Sequence, residues 1–393
     1  MDIKHILQMK NDEKIHPSEK NSSIKKKSSI LRYLIAAVLL IISSLVFITF
    51  RQKPNYDPAS ETIIRKAVSE ILIKEPNDLT DEDFASIKNF NLTMKEISDL
   101  RMLEKFTNME QLQINNLTFP VSAVPKWMLF MAKFGIFDIN KKLVIDLGPL
   151  KKLSKLQELY LVGKSINNIT PIRNLKNLRI LRLSNNQVSN IKALKELNKL
   201  ETLALLDVPV SNLKPIKNLT NIESLFLDVN GISNIEPIAN LINLRKLSIL
   251  NTNASSFEPL KTLPNLQEMI LYKCSTQNIE MLNELPYLQK LTFIGKEFSD
   301  LKPISKLSNL KTLELRNTNI SDITPIQKMN HLQELVLFEN PILDISPLKE
   351  LTNLKQLDLT KHVDFFNSRE NIPTEQVENL RKALPDLIIN FNR

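Results

Sequence analysis

The chain has 393 residues, with 52 lysine and arginine side chains against 43 aspartate and glutamate, and 42% hydrophobic content. Its single cysteine excludes an intramolecular disulfide, and its five glycines leave no phosphate-cradling loop of known spacing. Two of its four histidines, His5 and His16, precede an apolar run, and His331 and His362 have no cysteine or carboxylate at ligand spacing, so no metal site is expected.

In chain order, residues 1–30 read as a polar, basic cytoplasmic tail with little core-forming content. Seven lysines and one arginine fall within residues 1–32. Tyr33–Phe50 then runs 18 residues without a charge, the length of a membrane-spanning helix. The excess of lysine before it places the N-terminus in the cytoplasm by the positive-inside rule. No small-x-small cleavage site follows, so residues 31–50 are expected to be an uncleaved signal anchor. The repeats would then lie outside the membrane, at the cell surface or in the periplasm. Beyond residue 50 there are 44 basic and 39 acidic side chains, a mild excess, and no nucleic-acid partner is expected.

Residues 51–88 read as a linker and a helical N-terminal cap. Ile63, Ile64, Ala67, Val68, Ile71 and Leu72 form one helical stripe. Thr80 is placed as an N-cap with Asp83 three residues on, and Leu79 and Phe84 as a hydrophobic staple.

Residues 89–362 are repetitive. A leucine-centred segment recurs every 22 residues from Leu159 to Leu357, as in LQELYL (156–161), LRILRL (178–183) and LQELVL (332–337). One step back, Phe137–Ile139 reads as a degenerate strand; MEQLQI (109–114) lies 25 residues earlier, and Phe90 and Leu92 lie 22 before that. The extra residues fall in an irregular loop at 115–124. Proline recurs at positions 149, 171, 215, 237, 259, 303, 325 and 347, interrupted by Ala193 and Met281. Asn or Asp precedes it in pairs such as Asn212-Leu213 and Asp322-Ile323, a pattern that predicts short 3₁₀ or α turns opposite each strand. Residues 363–393 read as a C-terminal cap: a helix with Val377, Leu380 and Leu384 inward, then a last strand.

The L-x-x-L-x-L core is that of the leucine-rich repeat, one strand per coil of a solenoid. The fuller pattern in LSNLKTLELRNTNISDITPIQK (307–328) resembles the internalin-type bacterial leucine-rich repeat, and the resemblance covers residues 60–390. It implies an α/β solenoid whose strands form one parallel concave sheet, with short convex turns and a cap at each end. The expected architecture is that horseshoe, preceded by one transmembrane helix. Cys274 stands where the repeat carries Asn186, Asn230 and Asn340, or Thr252 and Thr318, and reads as a buried structural residue.

Side chains alternate across a strand, so the residue between the paired leucines and the one after them should face solvent. Those positions hold an apolar row: Tyr160, Val162, Leu206, Phe226, Leu250, Ile270, Tyr272, Ile294, Val336 and Phe338. Arg182, Asp228, Glu314 and Arg316 interrupt it. Such a patch marks an interaction surface. The expected function is therefore recognition of a protein ligand through the concave face, with no enzyme activity and no cofactor. A scaffold for a membrane or envelope complex, without an external ligand, is the alternative. The resemblance implies surface adhesion or host contact, yet no immunoglobulin-like module, wall-sorting sequence or further ligand repeats follow the array in this sequence. Only generic protein binding is therefore carried over.

Overall fold

The thirteen strands among the described residues form one sheet in strict sequence order, every neighbouring pair parallel. The computed structural model describes residues 57–93, 97, 99–115, 144–254, 256–274, 279–360 and 372–391. The strands are β1 (Asn89–Thr93), β2 (Gln111–Asn115), β3 (Glu158–Val162), β4 (Ile180–Ser184), β5 (Thr202–Leu206), β6 (Ser224–Asp228) and β7 (Lys246–Leu250). They continue as β8 (Glu268–Tyr272), β9 (Lys290–Ile294), β10 (Thr312–Arg316), β11 (Glu334–Val336), β12 (Gln356–Asp358) and β13 (Ile388–Asn390). Within β1 to β12, the two flanking leucines or their equivalents are buried, and stacking aligns them into a continuous ridge, such as Leu159, Leu181, Leu203, Leu225 and Leu247. One coil cannot bury this ridge alone, so each depends on its neighbours.

The register corrects one expectation. β2 pairs directly with β3 (Leu112 with Leu159, Gln113 with Tyr160), so no strand stands between them. Phe137–Ile139 and most of the 115–124 loop lie outside the described residues. The segment 31–50 also lies outside the described residues, and among those described no helix is long and apolar enough to cross a membrane.

Opposite the sheet, each coil turns through a short 3₁₀ segment, for example Thr170–Asn174 and Ser346–Glu350. The Asx residue before it sets the turn. Asn168, Asn212, Asn234, Asp300, Asp322 and Asp344 each accept a hydrogen bond from the backbone N–H two residues on, at 2.7–2.9 Å. A second series ties coils together: Asn177, Asn221, Asn243 and Asn265 each donate to a carbonyl 23 residues earlier. His331 occupies the equivalent place, its Nε2 2.8 Å from the Leu307 carbonyl.

After most strands the chain bends through a residue with positive φ: Asn185, Asp207, Asn251, Lys273, Asn317 and Glu339 among them. The residue after it turns inward in all six of these coils, where Asn186, Val208, Thr252, Cys274, Thr318 and Asn340 are buried, and Asn186 and Asn340 each bond two carbonyls. Coil six departs from this. Val229, being β-branched, does not take the left-handed conformation and enters the core itself, leaving Asn230 exposed. Asn230 is therefore not the buried turn residue that the period suggests.

Both ends are capped. Helix α1 (Pro58–Leu72) starts at Asp57, which accepts hydrogen bonds from Ala59 N and Ser60 Oγ and donates its own N–H to Asp99. It buries Ile64 and Val68, with Ile63, Ala67 and Leu72 packed at the margin. Ile71 is 51% exposed, contrary to the stripe, while Leu72 beside it packs on the core. Helix α2 (Asp81–Ser86) has the expected capping box between Thr80 and Asp83, with Leu79 and Phe84 both buried. At the other end, helix α3 (Thr374–Ala383) turns Val377 and Leu380 inward, and β13 closes the sheet.

Candidate functional site

The open face of the sheet collects three columns of side chains, because strands paired in register place equivalent residues one strand spacing, about 4.8 Å, apart. The middle column runs Tyr160, Arg182, Ala204, Phe226, Ser248, Ile270, Thr292, Glu314, Val336 and Asp358. Beside it lie Val162, Ser184, Leu206, Asp228, Leu250, Tyr272, Ile294 and Arg316, with Phe338 just past β11. Leu206, Phe226, Leu250, Ile270, Tyr272 and Ile294 thus form one apolar belt across β5 to β9. All six are half-buried, shaded by the neighbours that a 4.8 Å spacing brings against them.

Five residues of the middle column expected at the surface are not there, Ala204, Ser248 and Thr292 among them. Val336 is 5% exposed and Glu314 9%. Val336 stands between Glu314 and Asp358 on adjacent strands, and β11 is only three residues long. Glu314 is folded down between Lys290 Nζ at 2.5 Å and Arg316 Nε at 2.9 Å. Burial pushes its carboxyl up, but the hydrogen bonds from Lys290 and Arg316 outweigh it and hold the pKa below the ordinary carboxylate value. Arg182 is fully exposed, as expected, and Arg316 is half-exposed.

A third column was missed by the sequence reading: Glu158, Ile180, Thr202, Ser224, Lys246, Glu268, Lys290, Thr312, Glu334 and Gln356. Its signal was present, since the period of two extends one residue ahead of the first inward leucine. This column is polar and cross-linked, with Lys246 bonded to Glu268 at 2.9 Å and Thr312 to Glu334 at 3.3 Å. Tyr160 donates its hydroxyl to Glu158 at 2.9 Å; burial first, then that bond, raises its pKa. The face therefore carries an apolar belt bordered on one side by charged pairs. Thr292, inside the belt, is 3% exposed, and its hydroxyl has no hydrogen-bond partner.

Cys274 is buried, with Sγ 3.3 Å from the carbonyls of Ile249 and Tyr272, and burial raises its pKa. It fills the turn position as expected and carries none of the electropositive exposure that a reactive thiol requires. Among the described residues no group of three or more His, Cys, Asp or Glu is placed to hold a metal ion.

No protein-family model matches the sequence, and neither does any curated protein. Solved structures do match. An internalin (InlF) of Listeria monocytogenes is 25% identical over 84% of this chain and 90% of its own, with a TM-score of 0.62. An internalin C2 of the same organism is 23% identical over 76% and 92%, with a TM-score of 0.32, and a leucine-rich-repeat protein of Leptospira interrogans is 18% identical over 79% and 97%, with a TM-score of 0.46. The argument rests on the first, which shares the whole run of coils rather than a local motif. With its 22-residue period, in-register parallel sheet, 3₁₀ turns and paired caps, the chain has a leucine-rich-repeat fold similar to that of the internalins.

Proposed function

We propose that this chain is a membrane-anchored recognition protein whose sheet face binds a protein partner on the extracytoplasmic side. The leucine-rich-repeat fold suggests protein–protein recognition in general terms. The observation that carries the finer reading is the apolar belt of Leu206, Phe226, Leu250, Ile270, Tyr272 and Ile294, which spans five adjacent strands and is bordered by charged pairs. An apolar centre with a polar rim is the anatomy of a protein interface. Aromatic residues such as Phe226 and Tyr272 are the side chains that dominate binding energy there. Anchoring through residues 31–50, with the N-terminus in the cytoplasm, rests on the uncharged run and the lysines before it.

The test is crosslinked capture from intact cells with the parent chain and its Phe226→Asp/Tyr272→Asp variant. A protein recovered only by the parent supports the reading. Undiminished capture by a variant with parental circular dichroism overturns it. Carbonate extraction checks the anchor: release of the chain from membranes removes that part of the proposal. A captured protein from the cell's own envelope complex would favour the scaffold role over recognition of an external ligand.

A further inference from the structure

The coils are electrically divided along the array. Residues 151–217 hold 13 basic and 4 acidic side chains, whereas the next 67 residues, 218–284, hold 4 basic and 7 acidic. The basic excess is ordered by the repeat. Lys151, Arg173, Lys195 and Lys217 stand 22 residues apart on four consecutive coils, with Lys192 and Lys214 beside the last two. All six are exposed, and none forms an ion pair. The same column further on reads Ala239, Lys261, Asn283 and Ser305, and there Lys261 is neutralised at 2.8 Å by both Glu258 and Glu284. Lysines nearby in the basic coils are also engaged: Lys152 with Glu104, Lys176 with Glu196, and Lys155 and Lys199 with asparagine carbonyl oxygens. The six that form no ion pair share one face, with Glu196 near enough to Arg173 and Lys195 to feel their charge.

We infer that this face docks on the anionic phospholipid surface of the membrane that anchors the chain. This goes beyond protein recognition and rests on the anchor reading for its geometry. Seven residues, 51–57, separate the end of the apolar run from α1, so the tether reaches at most about 25 Å. β3, whose coil begins the basic column, lies two strand spacings or about 10 Å from β1, where α1 and α2 cap the array. A tether of that length is long enough for the basic coils to reach headgroups. A polybasic face near anionic lipid is attracted over roughly a Debye length, about 8 Å at physiological salt. A second copy is a separate outcome of the test, read from protection that depends only on protein concentration. Docked this way, the sheet face opposite stays free for a partner.

The experiment uses the full chain with vesicles of phosphatidylcholine alone or mixed with phosphatidylglycerol. Acetylation rates of individual lysines by a water-soluble succinimidyl ester are read by mass spectrometry. Lys151, Lys192, Lys195, Lys214 and Lys217 should slow about five-fold or more with the anionic vesicles and recover in high salt, while Lys306 and Lys328 do not change. Charge reversal of Arg173 and Lys195 to glutamate should relieve the protection of the other four lysines. Equal rates in both vesicle types overturn the inference, as does protection by DNA alone or protection that depends only on protein concentration. Carbonate extraction reports separately on the anchor, and added vesicles still read the face if the anchor reading fails.

Discussion

Lys290 Nζ reaches across one strand to lie 2.5 Å from Glu314 Oε1, and Arg316 Nε holds the other carboxylate oxygen at 2.9 Å. The folded-state pKa of Glu314 lies below its ordinary value of 4.5. Its contribution to stability is therefore fully present above that value and is lost as pH falls through the lower folded one. Denaturant midpoints measured from neutral pH downward should show a steeper acid limb in the parent than in Glu314→Gln. At neutral pH the substitution should cost about 1–3 kcal/mol, since it trades charge-assisted bonds for neutral ones. Parallel acid limbs would remove the clamp from consideration.

Thr292 makes the opposite case. Its buried hydroxyl has no partner, so it carries a desolvation cost without a compensating bond. Thr292→Val keeps the shape and removes that cost, and should stabilise the array by about 1 kcal/mol. A lowered unfolding midpoint would show that the hydroxyl is satisfied by water after all.

The turn position offers a graded comparison. Asn340 Nδ2 donates to the carbonyls of Leu315 and Phe338 and its Oδ1 accepts from the Thr318 hydroxyl, whereas Cys274 offers two weak contacts through sulfur. Asn340→Ala should cost about 2–3 kcal/mol and Cys274→Ser less than about 1 kcal/mol in chemical denaturation. The folded parent should also leave its thiol unreactive toward a disulfide reagent until denaturant is added, because burial keeps the thiol protonated.

The N-terminal cap is expected to hold the first coils closed. Phe84 is fully buried, packs edge-on against Phe106 at 5.5 Å and lies beneath Arg65 and Lys105. Phe84→Ala should cost about 3–5 kcal/mol. Hydrogen exchange should show the loss confined to β1 and β2 and fading toward β6, since each coil contacts only its neighbours. A uniform loss of protection across the array would mean that the coils unfold as one unit.

Some of the site could be read directly from the residues and some could not. The inward leucines, the Asx turns, the Thr80 capping box and the role of Cys274 followed from spacing, because each depends on residues at most a few positions apart. Ile71 was misplaced because a helical stripe says which face is apolar, not how wide a part of it the neighbouring coil covers. Val229 broke the turn series for a local reason that its side chain announces, a β-branched residue where the backbone asks for positive φ. The basic column at Lys151, Arg173, Lys195 and Lys217 was equally visible at a 22-residue step, but whole-chain charge averaged it away.

By itself, the sequence determined the period, the inward ridge, the turn chemistry and the caps, since all of these are set by side-chain type at fixed offsets along one chain. Only the tertiary structure decided that β2 pairs with β3, that Glu314 and Val336 are sheltered, and that six cations on the 3₁₀ face go unpaired. Those facts depend on what the adjacent coil places about 4.8 Å away, a distance that joins residues 22 or 47 positions apart and that no single repeat records.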